Sequence, residues 1–206
     1  MVSDSDRPHA EEPGLDRERG TFRSVVTHLV MDVPPRRAGP VPPHPDVRVA
    51  QWERPAVDEY IALFRRVGDR WLWHGRLSHG RGYIEHVLRA ESHEVWRLWR
   101  GGDVAGLCEL NRSRSRTVRI DYFGLVDEQI GTGLGGFFMR KMLREAWRSE
   151  TLRVVLTTCT EDHPAALGFY QHMGFRITGK HTEWIHDPRL RGILPRDAGP
   201  HVPIPE

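Results

Sequence analysis

The 206-residue chain has few cysteines, little excess charge and no long apolar run. Its two cysteines, Cys108 and Cys159, are too few for a disulfide framework. No segment approaches the roughly 18 consecutive apolar residues of a membrane-spanning helix, and the polar N-terminus lacks the apolar core of a signal peptide. The formal net charge of +2 leaves no strong basic footprint for nucleic acid. These absences predict a cytoplasmic protein without a membrane or nucleic-acid partner.

The hydrophobic residues that are present, 38% of the chain, suffice for a core. Residues 1–20 are polar and charged, which predicts a disordered extension. Residues 21–46 combine a strand with a proline-rich tether, and residues 47–185 carry the patterns of a folded domain. Residues 186–206 form a proline-rich tail that we expect to lie over the surface.

Within the domain the patterns predict a strand, helices, a three-strand meander, a helix, a strand, a helix and a last strand. This order is typical of a mixed α/β sheet with one strand–helix–strand crossover. Helical spacing predicts a first helix that ends at a Gly68 C-cap, followed by a loop over residues 71–82. The helix from residue 134 shows a wide apolar stripe of Leu134, Phe138, Met139, Met142, Leu143 and Ala146.

The segment Gln129–Gly136, "QIGTGLGG", separates the predicted strand 117–126 from that helix. Glycine tolerates positive φ and lets the backbone approach a ligand closely. The first N–H groups of a helix have no intrahelical partner, and the helix dipole favours an anion there. The segment therefore predicts a phosphate or pyrophosphate site.

Other interpretations of this segment stay open on the residues alone. Gly131, Gly133 and Gly136 fit the dinucleotide pattern G-x-G-x-x-G. That pattern expects the loop directly after a buried strand, whereas Asp127–Gln129 intervene here. The glycines would alternatively serve only a tight turn and close packing between helix and sheet.

The segment "IGTGLG" resembles the pyrophosphate loop of GNAT N-acetyltransferases, in which Arg or Gln is followed by two residues, Gly, one residue and Gly. Gly133 and Gly135 match the paired glycines, while Ile130 stands at the Arg or Gln position beside Gln129. The stretch "A-x-x-x-Y-x-x-x-G-F" from Ala166 resembles the family's helix that ends in Tyr and Gly-Phe. His163 stands where Asn is frequent. Residues 47–185 follow the family's order of elements.

The resemblance implies a GNAT fold, with a meander and a splayed central strand pair flanked by helices, that uses acetyl-CoA as co-substrate. It also implies that CoA contacts Leu125, Val126, Gln129, Ile130, Gly131, Thr132, Gly133, Leu134, Gly135, Gly136, His163 and Tyr170.

Acyl transfer of this type proceeds by direct attack of a primary amine on the thioester, with one proton removed from the amine and one given to the thiolate. By resemblance, Tyr170 is the candidate acid. Glu109 and Asp121, on adjacent predicted strands, are the candidate bases. The family's frequent acidic position falls near Arg119, which is no base, so a chain of water molecules is the other route for the proton.

Further side chains near these positions have structural interpretations. His163 would relay a proton or merely begin its helix, and Cys159 is most simply a small buried hydrophobe. We predict no metal site, because three or four ligands are not evident. Trp71 and Trp73 would line the acceptor pocket. A catalytically silent acyl-CoA-binding domain is the rival function, an NAD-dependent oxidoreductase is a third, and a homodimer stays open.

Overall fold

The computed structural model of the protein describes residues 19–35, 41–148 and 150–206. The predicted disordered extension therefore lies outside the described residues except for Arg19 and Gly20, as does part of the predicted tether at 36–40. None of the described helices is long and apolar enough to cross a membrane.

Seven strands form a single sheet, which is the mixed α/β architecture predicted from the sequence. They are β1 (Thr21–Met31), β2 (Val47–Gln51), β3 (His93–Arg100), β4 (Asp103–Arg114), β5 (Thr117–Leu125), β6 (Arg153–Thr158) and β7 (Arg176–His186). The helices are α1 (Val57–Gly68), α2 (Gly75–Ser78), α3 (Gly80–Arg89), α4 (Leu134–Ala146) and α5 (Ala166–His172).

The strand order is β2-β3-β4-β5-β6-β1-β7. Strands β2 to β5 form the antiparallel meander, and β5 pairs with β6 in parallel. The crossover between these two parallel strands contains α4, as parallel pairing requires.

The first strand of the chain lies between the last two. Strand β1 is antiparallel to β6 from Thr27 to Met31 and antiparallel to β7 from Thr21 to Val30. Its residues Leu29, Val30 and Met31 are buried, whereas β7 at the sheet edge is almost wholly exposed. The sequence pattern predicted a strand here but not its position in the sheet.

A hydrophobic core covers each face of the sheet. Helices α4 and α5 contribute to one core, in which the predicted apolar stripe of α4 is buried throughout. Helices α1 and α3 contribute to the other core, where Tyr60, Phe64, Val67, Ile84 and Leu88 pack against Val95 and Leu107 of the sheet. The gap between β5 and β6 is thus enclosed by helices on both faces.

Helix α1 ends at Gly68 as predicted, but the residue in the C-cap position is Asp69. Gly68 has a φ of −106°, and the chain continues into a 3₁₀ turn, Asp69–Trp71. Glycine is required there for a different reason: a Cβ at Gly68 would lie 2.6 Å from the Trp73 side chain. The predicted loop over 71–82 contains α2 and the start of α3.

The C-terminal tail packs on the loop that follows α1. Leu194 and Ala198 bury Leu72, and the Gly199 N–H donates to the Asp69 carbonyl oxygen. Arg189 pairs with Asp187 and donates to four tail carbonyls, those of Ala198, Gly199, Val202 and Pro203. Through these contacts the tail covers the loop between α1 and α2, on the face of the sheet that carries these helices.

Candidate functional site

The site is a gap between two parallel strands. β5 and β6 are paired only from Thr117 to Arg119 and from Arg153 to Val155, although β5 continues to Leu125. Beyond Arg119 the two strands separate, and their facing backbone groups become available to a ligand. The splayed pair predicted from the sequence is present at this point.

A β-bulge lies where the gap opens. Glu109 on β4 is opposite Tyr122, and Leu110 is opposite Ile120, so that Asp121 is the extra residue on β5. A bulge bends its strand and re-aims the side chain it carries. It thereby contributes to the separation of β5 from β6 and turns Asp121 toward the face that carries α1 and α2.

Strand alternation decides which backbone groups face the gap. The Val126 N–H donates to the carbonyl oxygen of Ala105 on β4, and the Val126 carbonyl oxygen accepts from the Gln129 N–H. Both backbone groups of Val126 are therefore engaged within the protein. Successive residues of a strand direct their backbone N–H and C=O groups to opposite edges of the strand. The N–H and C=O groups of Leu125 therefore point toward β6 and the gap.

The glycine loop joins the end of β5 to α4. Gly131 and Gly133 have φ values of 81° and 82°, which glycine alone adopts readily, and a Cβ on either would meet no protein atom within 4 Å. The Thr132 hydroxyl donates to the Gln129 carbonyl at 2.8 Å. Among residues 129–136, all of which are described, the N–H groups of Gly131, Thr132 and Gly133 donate to no protein acceptor. These groups and the α4 N-terminus fit an anion.

Two arginines place further positive charge at this loop. Arg100 donates to the Gln129 side-chain oxygen at 2.9 Å, so this amide is held by the protein. The guanidinium of Arg140 folds back over the first turn of α4, where its Nη1 would lie 3.2 Å from a Cβ at Gly136. Arg140 was not predicted from the sequence. Its position four residues after Gly136 places it on the same helix face, and this spacing is the pattern that could have predicted the contact.

Tyr170 of α5 is buried on the α4 side of the sheet. Its ring packs edge-on against Phe169 and Phe175. Burial, and then the negative charge of Asp162, raises the pKa of Tyr170 well above its usual range. The phenol therefore stays protonated at neutral pH and has a hydrogen atom available to donate.

His163 stands just before α5 and has two contacts. Its Nδ1 accepts the Ala165 N–H at 3.0 Å, which helps to start the helix. Its ring lies edge-on to Trp71, with 5.0 Å between ring centroids. These contacts match the structural interpretation of His163.

Glu109 lies at the centre of a buried polar network. Its residue is 0% exposed. One carboxylate oxygen accepts from the Tyr60 hydroxyl, and the other accepts from Arg76 at 2.7 Å and lies 2.9 Å from His93 Nε2. Burial alone would raise the pKa of Glu109, but the His93 hydrogen bond and the Arg76 charge outweigh it and lower that pKa. Glu109 is thus an ionised structural carboxylate that an amine substrate does not reach.

Asp121 shares Arg76 with Glu109 but lies nearer to the gap. Its Oδ2 accepts from Arg76 at 2.9 Å and from Asn111 at 3.0 Å, and its Oδ1 lies 3.2 Å from Arg119 Nε. Its side chain remains 11% exposed. Asp121 is therefore accessible at the bulge while its charge is balanced by two guanidinium groups.

His93, Glu109 and Asp121 place potential ligand atoms within 4.8 Å of one another. Arg76 already supplies the positive charge between the two carboxylates. The donor set therefore fits an ion-pair network better than a metal centre.

Trp73 closes one side of the gap. It packs against Phe64 and Tyr122, and a Cβ at Gly124 would lie 3.0 Å from its ring. Trp71, two residues earlier, contacts His163 and His201 with its ring. That these two tryptophans line the acceptor pocket stays a prediction.

Cys159 follows β6 in the same region. Burial, with the nearby Asp162 and Glu161 charges, raises the pKa of its thiol far above the usual range. Because the thiolate is the nucleophilic form, this cysteine is poorly suited to an acyl-cysteine route.

Solved structures share this fold at low sequence identity. A tandem GNAT protein from the clavulanic acid biosynthesis pathway has a TM-score of 0.58 at 16% identity and matches 89% of this chain and 61% of its own. A conserved protein of unknown function from Staphylococcus epidermidis has a TM-score of 0.56 at 16% identity and matches 82% of this chain and 64% of its own. A GCN5-related N-acetyltransferase from Kribbella flavida has a TM-score of 0.52 at 13% identity and matches 84% of this chain and 63% of its own. The chain thus spans less than two thirds of the length of these proteins.

No curated protein sequence matches the chain. The model of the acetyltransferase (GNAT) family matches residues 49–175, which is more than half of the chain and contains β5, the glycine loop, β6 and α5. The protein belongs to the GNAT family of acetyltransferases.

Proposed function

We propose that the protein transfers an acetyl group from acetyl-CoA to a primary amine by direct attack in a ternary complex. The observation that carries this proposal is the gap between β5 and β6, which ends at the free N–H groups of the glycine loop. Family membership supports acyl transfer, because GNAT proteins are acetyltransferases. It also disfavours the NAD-dependent alternative.

CoA would bind along the gap. Its pyrophosphate would accept hydrogen bonds from the N–H groups of residues 131–136, with Arg140 adding charge. The pantetheine would lie beside β5 and bond to the backbone of Leu125, which faces the gap. The thioester would then reach the bulge at Asp121, where the acceptor enters from the α1 side.

The chemistry requires two proton movements. The amine nitrogen attacks the thioester carbonyl, the C–N bond forms, the C–S bond breaks and its electron pair stays on sulfur. Tyr170 would donate its hydroxyl hydrogen to this sulfur. The ammonium proton would leave through water toward Asp121, which is the better of the two candidate carboxylates because Glu109 is inaccessible.

A silent acyl-CoA-binding domain is the second candidate function. It is favoured by one observation, namely that Asp121 is engaged by both Arg76 and Arg119, so that no uncompensated carboxylate faces the acceptor. The two functions agree on CoA binding and differ only in turnover.

Two measurements test the proposal. Calorimetric titration should show binding of acetyl-CoA and none of NAD. Mass spectrometry after incubation with acetyl-CoA and a panel of small-molecule and peptide amines should then detect an acetylated amine. Binding without any product would favour the silent domain, and NAD binding without CoA binding would overturn both. We place this activity in the cytoplasm, without nucleic acid or membrane partners.

A further inference from the structure

A second concave site lies away from the CoA gap. It is an open cavity of about 710 Å³ between the start of β1, the end of β7 and the C-terminal tail. Its walls include Phe22, Trp184 and Pro203, and its charged side chains are Arg19, Arg23, Glu161 and Glu206. Of these seven residues, only Glu161 lies within the stretch that matches the family. The cavity is thus built mainly by segments that this chain adds to the family domain.

Glu161 is a buried carboxylate in this cavity. Its residue is 5% exposed. One oxygen accepts from the Ser24 hydroxyl at 2.6 Å and the other from the Thr160 hydroxyl at 2.7 Å. In the described ranges, 19–35, 41–148 and 150–206, no cationic side chain forms an ion pair with it. Only two neutral hydroxyl donors hold this carboxyl group at the cavity wall, so it suits a ligand that brings a cationic donor.

The surroundings of Glu161 are fixed in place. Its backbone carbonyl lies 2.8 Å from His201 Nε2, and the His201 ring contacts Trp71. Arg189 donates to the carbonyl of Val202, which also lines the cavity. A preformed wall lowers the entropy lost when a ligand binds.

The cavity holds two positive and two negative side chains at different depths. Glu161 is buried and Glu206 is exposed. Arg23 is exposed and makes one long hydrogen bond, 3.4 Å, to the Thr182 hydroxyl. Arg19 is also exposed. Guanidinium groups suit carboxylates, which they bind in a bidentate manner. The aromatic faces of Phe22 and Trp184 suit an aliphatic stem between the two ends.

We propose that this cavity binds a basic amino acid, with its side-chain cation on Glu161, its carboxylate on Arg19 and Arg23, and its stem against Phe22 and Trp184. The proposal does not rest on acyl transfer, because the cavity is separate from the glycine loop and from the β5–β6 gap. It assigns a ligand class to the segments before β2 and after β7.

Calorimetry on the full chain tests the site with three small probes. They are L-arginine, agmatine, which lacks the carboxylate, and L-citrulline, which replaces the guanidinium by a neutral urea. We expect saturable binding of arginine and at least about tenfold weaker binding of each of the other two, the scale of one lost charged contact. Equal affinity for arginine and citrulline, or no binding of arginine, would overturn the proposal.

Variants locate the site. Glu161→Gln keeps the shape and should weaken arginine binding at least about tenfold. Glu53→Gln, an equal charge change on an exposed residue after β2, at the opposite edge of the sheet from β7, should leave it unchanged. Should Glu161→Gln fail to fold, Arg23→Gln on the surface should still reduce the preference for arginine over agmatine. Unchanged affinities in both Glu161→Gln and Arg23→Gln would exclude this cavity as the site.

Discussion

Arg76 Nη2 lies 2.7 Å from Glu109 Oε2, in a position that the solvent does not reach. The same nitrogen lies 2.9 Å from Asp121 Oδ2 on the next strand. One guanidinium on α2 therefore ties β4 to the bulge of β5. The geometry of the gap depends on this link, although Arg76 itself faces away from the CoA side.

The first prediction concerns this ion pair. Glu109→Gln leaves the buried Arg76 with one carboxylate instead of two, and breaking a buried pair costs about 3–5 kcal/mol. Urea unfolding followed by circular dichroism should show a loss of this size. Glu85→Gln, which removes an exposed pair with Arg89 on α3, should cost less than about 1 kcal/mol. Similar losses in the two variants would contradict the central role of Arg76.

The second prediction is a pH dependence. The pKa of Glu109 is lowered in the folded state, where burial is outweighed by His93 and Arg76, and the pKa of Glu94 is lowered because Arg112 outweighs its burial. Such groups stabilise the fold above their unfolded pKa of about 4.3. This contribution to the free energy of unfolding is lost as the pH falls through the lowered pKa values of the folded state. The free energy of unfolding should therefore decrease below about pH 4, and less so in Glu109→Gln. Parallel curves for the two proteins would assign the acid sensitivity to other groups.

The third prediction concerns the glycine loop. Gly133→Val places a branched side chain where the pyrophosphate would lie, and it also strains a backbone at positive φ. Acetyl-CoA affinity by calorimetry should fall by at least about tenfold, while the fold survives a loss of about 1–2 kcal/mol. Gly168→Ala in α5, where a Cβ meets no atom within 4 Å, is the control that should retain affinity. Normal CoA binding by Gly133→Val would remove the pyrophosphate from this loop.

The fourth prediction concerns Tyr170. Tyr170→Phe keeps the ring in its aromatic contacts, so turnover should fall by about ten- to a thousandfold while acetyl-CoA binding changes by less than about 1.5 kcal/mol. Because its pKa is raised, the wild-type rate should show no Tyr170 deprotonation below about pH 10. Tyr83→Phe removes a hydroxyl from a tyrosine that is 39% exposed and whose one hydrogen bond, from Arg76, is long at 3.5 Å, so its effect on turnover should be much smaller than that of Tyr170→Phe. A loss of binding equal to the loss of turnover would make Tyr170 a docking residue.

The sequence predicted those parts of the site that depend on local pattern. The apolar stripe of α4 and the glycines before it have fixed spacings, and both lie where their spacing indicated. Arg76 escaped prediction because it reaches Glu109 and Asp121 from another element, 33 and 45 residues away. The burial of Glu109 was equally inaccessible, since it depends on α1 packing over β4. Local patterns also cannot tell which edge a strand such as β1 joins.

Strand β1 has a consequence for how the protein is made. It emerges first from the ribosome, yet its neighbours β6 and β7 follow more than 120 residues later, as the pairs Thr27–Thr158 and Val25–Thr182 show. Until then both of its edges lack their partners, and such distant pairings form slowly. Exposed strand edges invite aggregation, so a nascent chain of this protein should depend on chaperones. The strand that is synthesised first of the seven therefore pairs only after the last two have been made, and β6, which lines the gap, gains its second neighbour through it.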